Sequence, residues 1–219
     1  MDGGLPFAEW LSFYADEVVF RTQQHATLSL LAVLVSTVVA LILAILVYRS
    51  EWVSDGLIKT LGVGFTIPSI AFFPLAVSFV GKNLAAVLPV LVVYALLPVT
   101  RNAIVGLQSV DATMLDAARG MGMGRWRILW QVELPLAWPV ILAGIRVSAQ
   151  LTVGVVTIAA FVYPTGLGVL AFDALNNLGA VNKFNQAMAS VIFVVAIALL
   201  FDAAFVLVRR FTTPRGLRV

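Results

Sequence analysis

The sequence predicts an all-α integral membrane protein with five transmembrane helices and a hairpin of short helices on one side of the bilayer. Three observations carry that prediction. Hydrophobic residues fill 61% of 219 positions and charged residues 11%, with a mean hydropathy of +1.02; soluble domains average about 25% charged residues. Apolar runs close to the roughly 20 residues that a bilayer demands recur along the chain. The longest stretch without such a run, Asp111 to Pro135, sits between two that have one.

Residues 1–26 carry Asp2, Glu9, Asp16 and Glu17 against a lone Arg21. A secretory signal needs a positive start ahead of its apolar core, so this segment reads as no signal peptide. Trp10, Phe13, Tyr14 and Phe20 predict a short amphipathic helix at the membrane surface, with aromatics at headgroup level. The first span is expected over 27–47, followed by a charged loop from Arg49 to Lys59. The second, Leu57 to Val80, contains Pro68 and Pro74, each of which bends or breaks a helix. Only 24 residues are available there and no polar turn divides them, which favours one kinked span over two half-spans.

Gly81-Lys82-Asn83 predicts a tight external turn, and the third span runs from Leu84 to about Leu107 with Pro89 and Pro98 inside it. The fourth runs from Pro135 to about Val162 and carries Arg146, Gln150, Thr152 and Thr157. A polar external segment, Tyr163 to Lys183, leads to the fifth span at about Ala187 to Val208 and a tail with Arg215 and Arg218. With the N-terminus outside, eleven of the 14 basic residues fall on or near the cytoplasmic side, leaving Arg21, Lys82 and Lys183 outside. The positive-inside rule selects this orientation.

Within the central stretch, Asp111 is an expected N-cap for a helix through Arg119, because its carboxylate can accept from free amides of the first turn. Gly120, Gly122 and Gly124 interrupt helical continuity, glycine alone entering left-handed conformations without penalty. A second short helix is expected from Arg125 to Gln131, with Trp126, Leu129 and Trp130 on one face. Leu134-Pro135 closes the unit and Pro135 suits the first turn of the next helix. Two amphipathic helices at a glycine elbow, tethered at both ends to spans, have the shape of a docking surface.

These residues also carry a resemblance. Permease subunits of binding-protein-dependent ABC importers bear a cytoplasmic pattern of Glu-Ala-Ala, a glycine, then Ile-x-Leu-Pro. This chain reads Asp116-Ala117-Ala118, Gly122, Val132 and Leu134-Pro135 in the same register, with Asp for Glu and Val for Ile. The resemblance implies a type I ABC importer permease, methionine-permease-like, whose coupling helix seats in a groove of a separate ATPase. Those seven residues are then the expected ATPase-coupling set. The expected organisation is an external segment over 1–26, a transmembrane permease domain over 27–208 with the coupling element at 109–135, and a cytoplasmic tail over 209–219. Implied partners are a cytoplasmic ABC ATPase dimer, a second permease copy or a paralogue, an extracytoplasmic solute-binding protein and the lipid bilayer of a bacterial inner membrane.

Further segments narrow the resemblance to an osmoprotectant branch that imports glycine betaine, choline, carnitine or proline-type solutes. They are Thr66-Ile67-Pro68-Ser69, Tyr94 to Pro98 with Arg101-Asn102, Gly120 to Met123, and Val132 to Arg146. After the fourth span the branch tends to carry Gly-Ala-Gly-Gly-Leu-Gly, whereas this chain departs with Phe161-Val162-Tyr163-Pro164-Thr165-Gly166-Leu167-Gly168.

Other chemistry is bounded by absence from the sequence. There is no P-loop pattern, so no cofactor is expected on this chain and ATP is bound by a partner subunit. One histidine, His25, and no cysteine leave too few parts for a metal cluster or a nucleophilic triad; His25 is expected to be solvated or interfacial. The pI of 9.6 rests on a net charge of only +3, spread beside apolar runs, and predicts no nucleic-acid partner.

Polar residues inside the bilayer are functional candidates. Arg146 is either a gate or pore-lining cation paired with Asp202, or an arginine snorkelling to the interface. Gln150, one turn on, shares its face. Phe65, Phe72, Phe73, Phe79, Tyr94, Phe161 and Tyr163 invite a cation–π reading for a quaternary ammonium solute, against plain packing. Ala143, Gly144, Ala149 and Gly154 read as close-packing positions between helices. Three alternatives stay open: the same machine with methionine or another amino acid as cargo, a channel or secondary carrier without an ATPase, and a non-transporting scaffold.

Overall fold

Every regular element of the computed structural model, which describes residues 4–212, is helical. The helices are α1 (Phe7–Phe13), α2 (Ala15–Val47), α3 (Glu51–Thr66), α4 (Ser69–Val80), α5 (Leu84–Gln108), α6 (Ala112–Gly120) and α7 (Arg125–Ile128). A π-helical turn (Leu129–Glu133) follows, then α8 (Leu134–Ala159), α9 (Gly168–Asn176) and α10 (Lys183–Thr212). Asp2, Arg215 and Arg218 lie outside the described residues.

The centre of the bundle is the pair α5 and α8, which share the most extensive contact in the molecule. Glycine makes it possible. A Cβ on Gly144 would lie 2.5 Å from Asn102 Cβ and 2.9 Å from the Pro98 carbonyl, and one on Gly106 would lie 3.1 Å from the Ala137 carbonyl. Ala149, also expected to pack closely, is fully buried, but Ala143 and Gly154 are exposed, and a Cβ on Gly154 would meet nothing. On the other side of α5, α2 presents a stripe of small buried residues, Ser29, Ala32, Ser36, Ala40 and Ala44. Such a stripe lets backbones approach where apolar surface alone gives no drive. Its opposite face, with Leu34, Val38, Ile42 and Leu46, is exposed.

Among the described residues, four helices are long and apolar enough to cross a membrane, and the bent pair α3–α4 brings the number to five if counted as one span. The kinked span expected over 57–80 is built from two helices meeting at 91°. The break falls at Ile67-Pro68, where both residues are extended (ψ 125). Proline disfavours helical geometry in the residue before it, which explains the site. Pro74, by contrast, is accommodated inside α4. The charged stretch after Arg49 is not a loop either, since α3 begins at Glu51.

The helical spans run past their expected ends. α2 starts at Ala15 rather than near residue 27, and α10 covers 183–212, so Arg209 and Arg210 are helical. Of the N-terminal aromatics, Trp10 is buried with Val18, Leu167 and Leu170, while Phe13, Tyr14 and Phe20 are exposed. The polar segment 163–183 contains α9 and a buried stretch, Thr165 to Gly168. His25 holds that stretch in place and is fully buried, not solvated. Its Nε2 lies 3.0 Å from the Val153 carbonyl, and Leu167 N–H donates to Nδ1 at 3.4 Å. Both contacts fit a neutral ring protonated on Nε2, which removes the cost of burying a charge. Gly166, at φ +66, turns the chain against the ring.

Because the α5–α8 contact has no room for a side chain at Gly144, Gly144→Ala is expected to cost about 1–3 kcal/mol through overpacking. A lowered midpoint of thermal unfolding in detergent would register it, whereas Gly154→Ala, in open space inside α8, should hold or slightly raise the midpoint.

Candidate functional site

The stretch 111–135 forms a short helix, a glycine turn and a continuation into α8. Asp111 caps α6: its Oδ1 accepts from Thr113 N–H at 2.8 Å and from Thr113 Oγ1 at 2.7 Å. The Thr113 hydroxyl, then its amide, hold the Asp111 carboxyl below the usual carboxylate range, keeping the cap ionised. The helix ends in a Schellman turn. Gly122 N–H donates to the Arg119 carbonyl at 2.9 Å and Met123 N–H to the Ala118 carbonyl at 3.1 Å. Gly122 sits at φ +78, where a side chain is strained, and nothing lies within 4 Å of a built Cβ. Its glycine is therefore required by backbone conformation rather than by space.

Of the expected coupling set, Asp116, Ala117, Ala118 and Gly122 lie on this unit. Asp116 and Ala117 are exposed and Asp116 pairs with Arg119 at 2.9 Å, while Ala118 is the buried residue of α6. Met114 and Met121 are exposed beside them. Val132, Leu134 and Pro135 are set apart from this group. Leu134 packs on the main core, and with Pro135, Trp130 and Trp138 it lines an apolar groove against Val38 and Ile42 of α2.

The second short helix does not end at Gln131 as expected. α7 passes through the π turn into α8, giving one helical run from Arg125 to Ala159. Pro135 explains the wide turn. It has no N–H, and its ring would crowd the carbonyl four residues earlier in an α-helix. Leu134 N–H instead closes on the Leu129 carbonyl, five residues back. The expected face of Trp126, Leu129 and Trp130 splits, with both tryptophans exposed and Leu129 buried.

Sequence reasoning missed a polar cluster at this turn. Glu133 is 4% exposed. Tyr48 Oη donates to Glu133 Oε2 at 2.7 Å, Arg49 Nε donates to Tyr48 Oη at 2.7 Å, and Arg49 Nη2 lies 3.5 Å from Glu133 Oε2. Gln108 Nε2 donates to the Tyr48 carbonyl at 2.9 Å and to Ser54 Oγ at 3.3 Å. Burial, then the Glu133 carboxylate, pushes the Tyr48 hydroxyl above its ordinary value, so it stays a donor. The available signal was a lone acid between Val132 and Leu134 at the mouth of an apolar run.

Within the membrane-spanning part, the structure brings Arg146, Gln150 and Asp202 together. Arg146 Nε and Gln150 Nε2 both donate to Asp202 Oδ1, at 2.5 Å and 2.9 Å. The cluster borders a cavity of about 540 Å³ between α8 and α10, with Leu142, Val147 and Phe205 as apolar wall. Among the aromatics, Phe65 and Phe72 meet Tyr94 edge-on at 5.8 and 6.3 Å, and Tyr94 Oη donates to the Ile67 carbonyl at the α3–α4 break. Phe73 is buried with them, Phe79 is exposed, and Phe161 packs on Phe172 at 5.5 Å. Tyr163 packs against the same cluster as Phe73 and Tyr94 and borders a groove with Thr27 and Leu31 of α2.

Comparison with known proteins gives this geometry its context. The family described as "Binding-protein-dependent transport system inner membrane component" matches residues 30–215. The carnitine transport permease protein OpuCB of Listeria monocytogenes is 33% identical over 201 residues, 92% of this chain and 90% of that protein. The choline transport system permease protein OpuBB of Bacillus subtilis (strain 168) is 30% identical over 210 residues, 96% and 95% of the two chains. The glycine betaine/carnitine/choline permease OpuCB of the same organism is 30% identical over 202 residues, covering 92% and 91%. In fold, the chain is similar to an inward-facing MetNI methionine ABC transporter, with a TM-score of 0.76 and 20% identity over 90% of this chain and 96% of that one.

The shared oxygen at Asp202 makes a prediction. Removing one partner of an ion pair strands the other, whereas removing both does not. Arg146→Met and Asp202→Asn should each lower the unfolding temperature of the purified protein, and the double variant should lie closer to wild type than either.

Proposed function

The chain belongs to the family of binding-protein-dependent transport system inner membrane components, and from that premise we propose that it is the permease subunit of an ATP-driven importer of compatible solutes. The cargo class, glycine betaine, choline or carnitine, is taken from the names of relatives that align over nearly the whole chain. The observation that carries the mechanism is α6: a capped helix of nine residues with one buried side chain, ending in a rigid Schellman turn. A helix this short is marginal on its own, and its exposed Met114, Ala117 and Met121 gain a purpose as a contact for another protein.

In this reading α6 faces the cytoplasm, as the basic residues Arg49, Arg119, Arg125, Arg127, Arg209 and Arg210 favour. A separate ATPase dimer grips Asp116, Ala117, Ala118 and Gly122, an outer solute-binding protein delivers cargo, and a second permease copy or a paralogue completes the path. Closure of the ATPase dimer displaces α6, and the continuous run from Arg125 to Ala159 carries the displacement into the membrane. Val132, Leu134 and Pro135 set the direction of that run. Arg146, Gln150 and Asp202 form a latch between α8 and α10 that regulates the path. This chain itself carries out no hydrolysis.

Vesicles reconstituted with this chain, its ATPase and its solute-binding protein should accumulate labelled choline, carnitine or glycine betaine only with internal ATP. Accumulation without nucleotide would identify a channel or secondary carrier instead. In the same assay Gly122→Val should leave membrane insertion intact and ATP hydrolysis measurable while abolishing accumulation. Normal accumulation by that variant would remove the elbow from the mechanism.

A further inference from the structure

We propose that Glu133, Tyr48 and Arg49 form the joint that passes displacement of α6 and α7 to α2, α3 and α5 as well as to α8, acting as positioning residues for coupling. The inference rests on the importer reading above and adds to it the residues that make the membrane bundle respond as a unit.

Covalent continuity alone ties α6–α7 only to α5 and α8. The tie to α8 passes through the π turn, where the α-helical hydrogen-bond ladder is interrupted. A load on α6 would tilt α7 about this turn unless something braces it. Glu133 sits in the turn and supplies the brace. A buried carboxylate is tolerated only when partnered, and both of its partners lie in the turn that follows α2, Tyr48 as the cap of that helix and Arg49 next to it. Tyr48 Oη accepts from Arg49 while donating to Glu133, so the three groups form one directed chain in which each bond polarises the next. The Arg49 guanidinium also lies 5.2 Å from the Tyr48 ring centre, fixing its place.

The joint reaches two further helices. Gln108, at the end of α5, binds the Tyr48 carbonyl and the Ser54 hydroxyl of α3. Four elements therefore converge on residues 48 and 133. Beside them a cavity of about 680 Å³ separates the joint from Leu115 and Arg119 of α6. That space leaves α6 packed mainly through Ala118, so most of its motion enters the membrane through the braced turn.

The test uses the assembled wild-type importer and three variants: Tyr48→Phe, Glu133→Gln, and the pair Tyr48→Phe with Glu133→Leu. Three quantities are read: solute accumulated per ATP hydrolysed, ATPase rate, and unfolding temperature. Both single variants should keep a near wild-type ATPase rate while solute per ATP falls about fivefold, Tyr48→Phe because it deletes a buried hydrogen bond and Glu133→Gln because the neutral amide no longer holds the Arg49 charge. The apolar pair should recover the unfolding temperature, because the buried carboxylate is gone and the Arg49 side chain, 41% exposed, can turn to solvent, yet stay uncoupled. Wild-type solute per ATP in the single variants would overturn the joint, as would a deficit that the apolar pair repairs together with stability. A wild-type complex that shows no ATP-dependent uptake would overturn the importer reading itself, and the joint with it.

Discussion

The whole architecture depends on how closely α5 and α8 approach. Gly144 and Gly106 remove the side chains that would hold the two backbones apart, and protein interiors do not deform to admit even one extra methyl group without cost. With that pair fixed, α2 lays its small-residue stripe along α5, and α10 meets α8 through apolar packing and the hydrogen bonds of Asp202 and Thr212. A lipid environment gives no net drive for apolar faces to associate. Steric fit and a few well-placed polar contacts therefore carry the assembly, and an added Cβ at the centre is felt at both ends of α8.

The irregular stretches obey the same physics from the opposite direction. A backbone that leaves helical geometry at membrane depth must find partners inside the protein. At the α3–α4 break, Tyr94 donates to the Ile67 carbonyl. In the buried stretch after α8, His25 accepts from Leu167 N–H and Ser190 Oγ donates to the Leu167 carbonyl. Gln24 takes the Gly166 amide. These side chains let a chain that is largely helix include two sharp departures without stranding polar groups. The wide turn before Pro135 is a third departure, braced by a buried carboxylate rather than by neutral donors.

Much of this was legible in the sequence because the signals are local. Asp111 caps α6, Gly122 takes φ > 0 and the turn expected at Gly81 to Asn83 is present, while the Arg146–Asp202 pair, 56 residues apart, was one of two readings offered by charges lying inside apolar runs. Failures occurred where the partner is distant. Nothing near His25 announces Val153 or Leu167, which lie 128 and 142 residues away. Tyr48 and Glu133 meet across 85 residues, and only the fold shows that the lone acid is buried. Proline was ambiguous for a related reason: Pro68 breaks a helix, Pro74 does not, and Pro135 widens a turn, each outcome set by tertiary surroundings rather than by the residue.

The central claim is that α6 is a handle gripped inside the cell by an ATPase, and the protein's lack of cysteine makes that directly measurable. A single cysteine placed by Ala117→Cys can be challenged with a membrane-impermeant maleimide in right-side-out and inverted vesicles, then with a short bifunctional crosslinker. The account predicts labelling only in inverted vesicles and a crosslink to the ATPase subunit that blocks labelling. Labelling from the outer face, or full accessibility with no crosslink in the assembled complex, would contradict it.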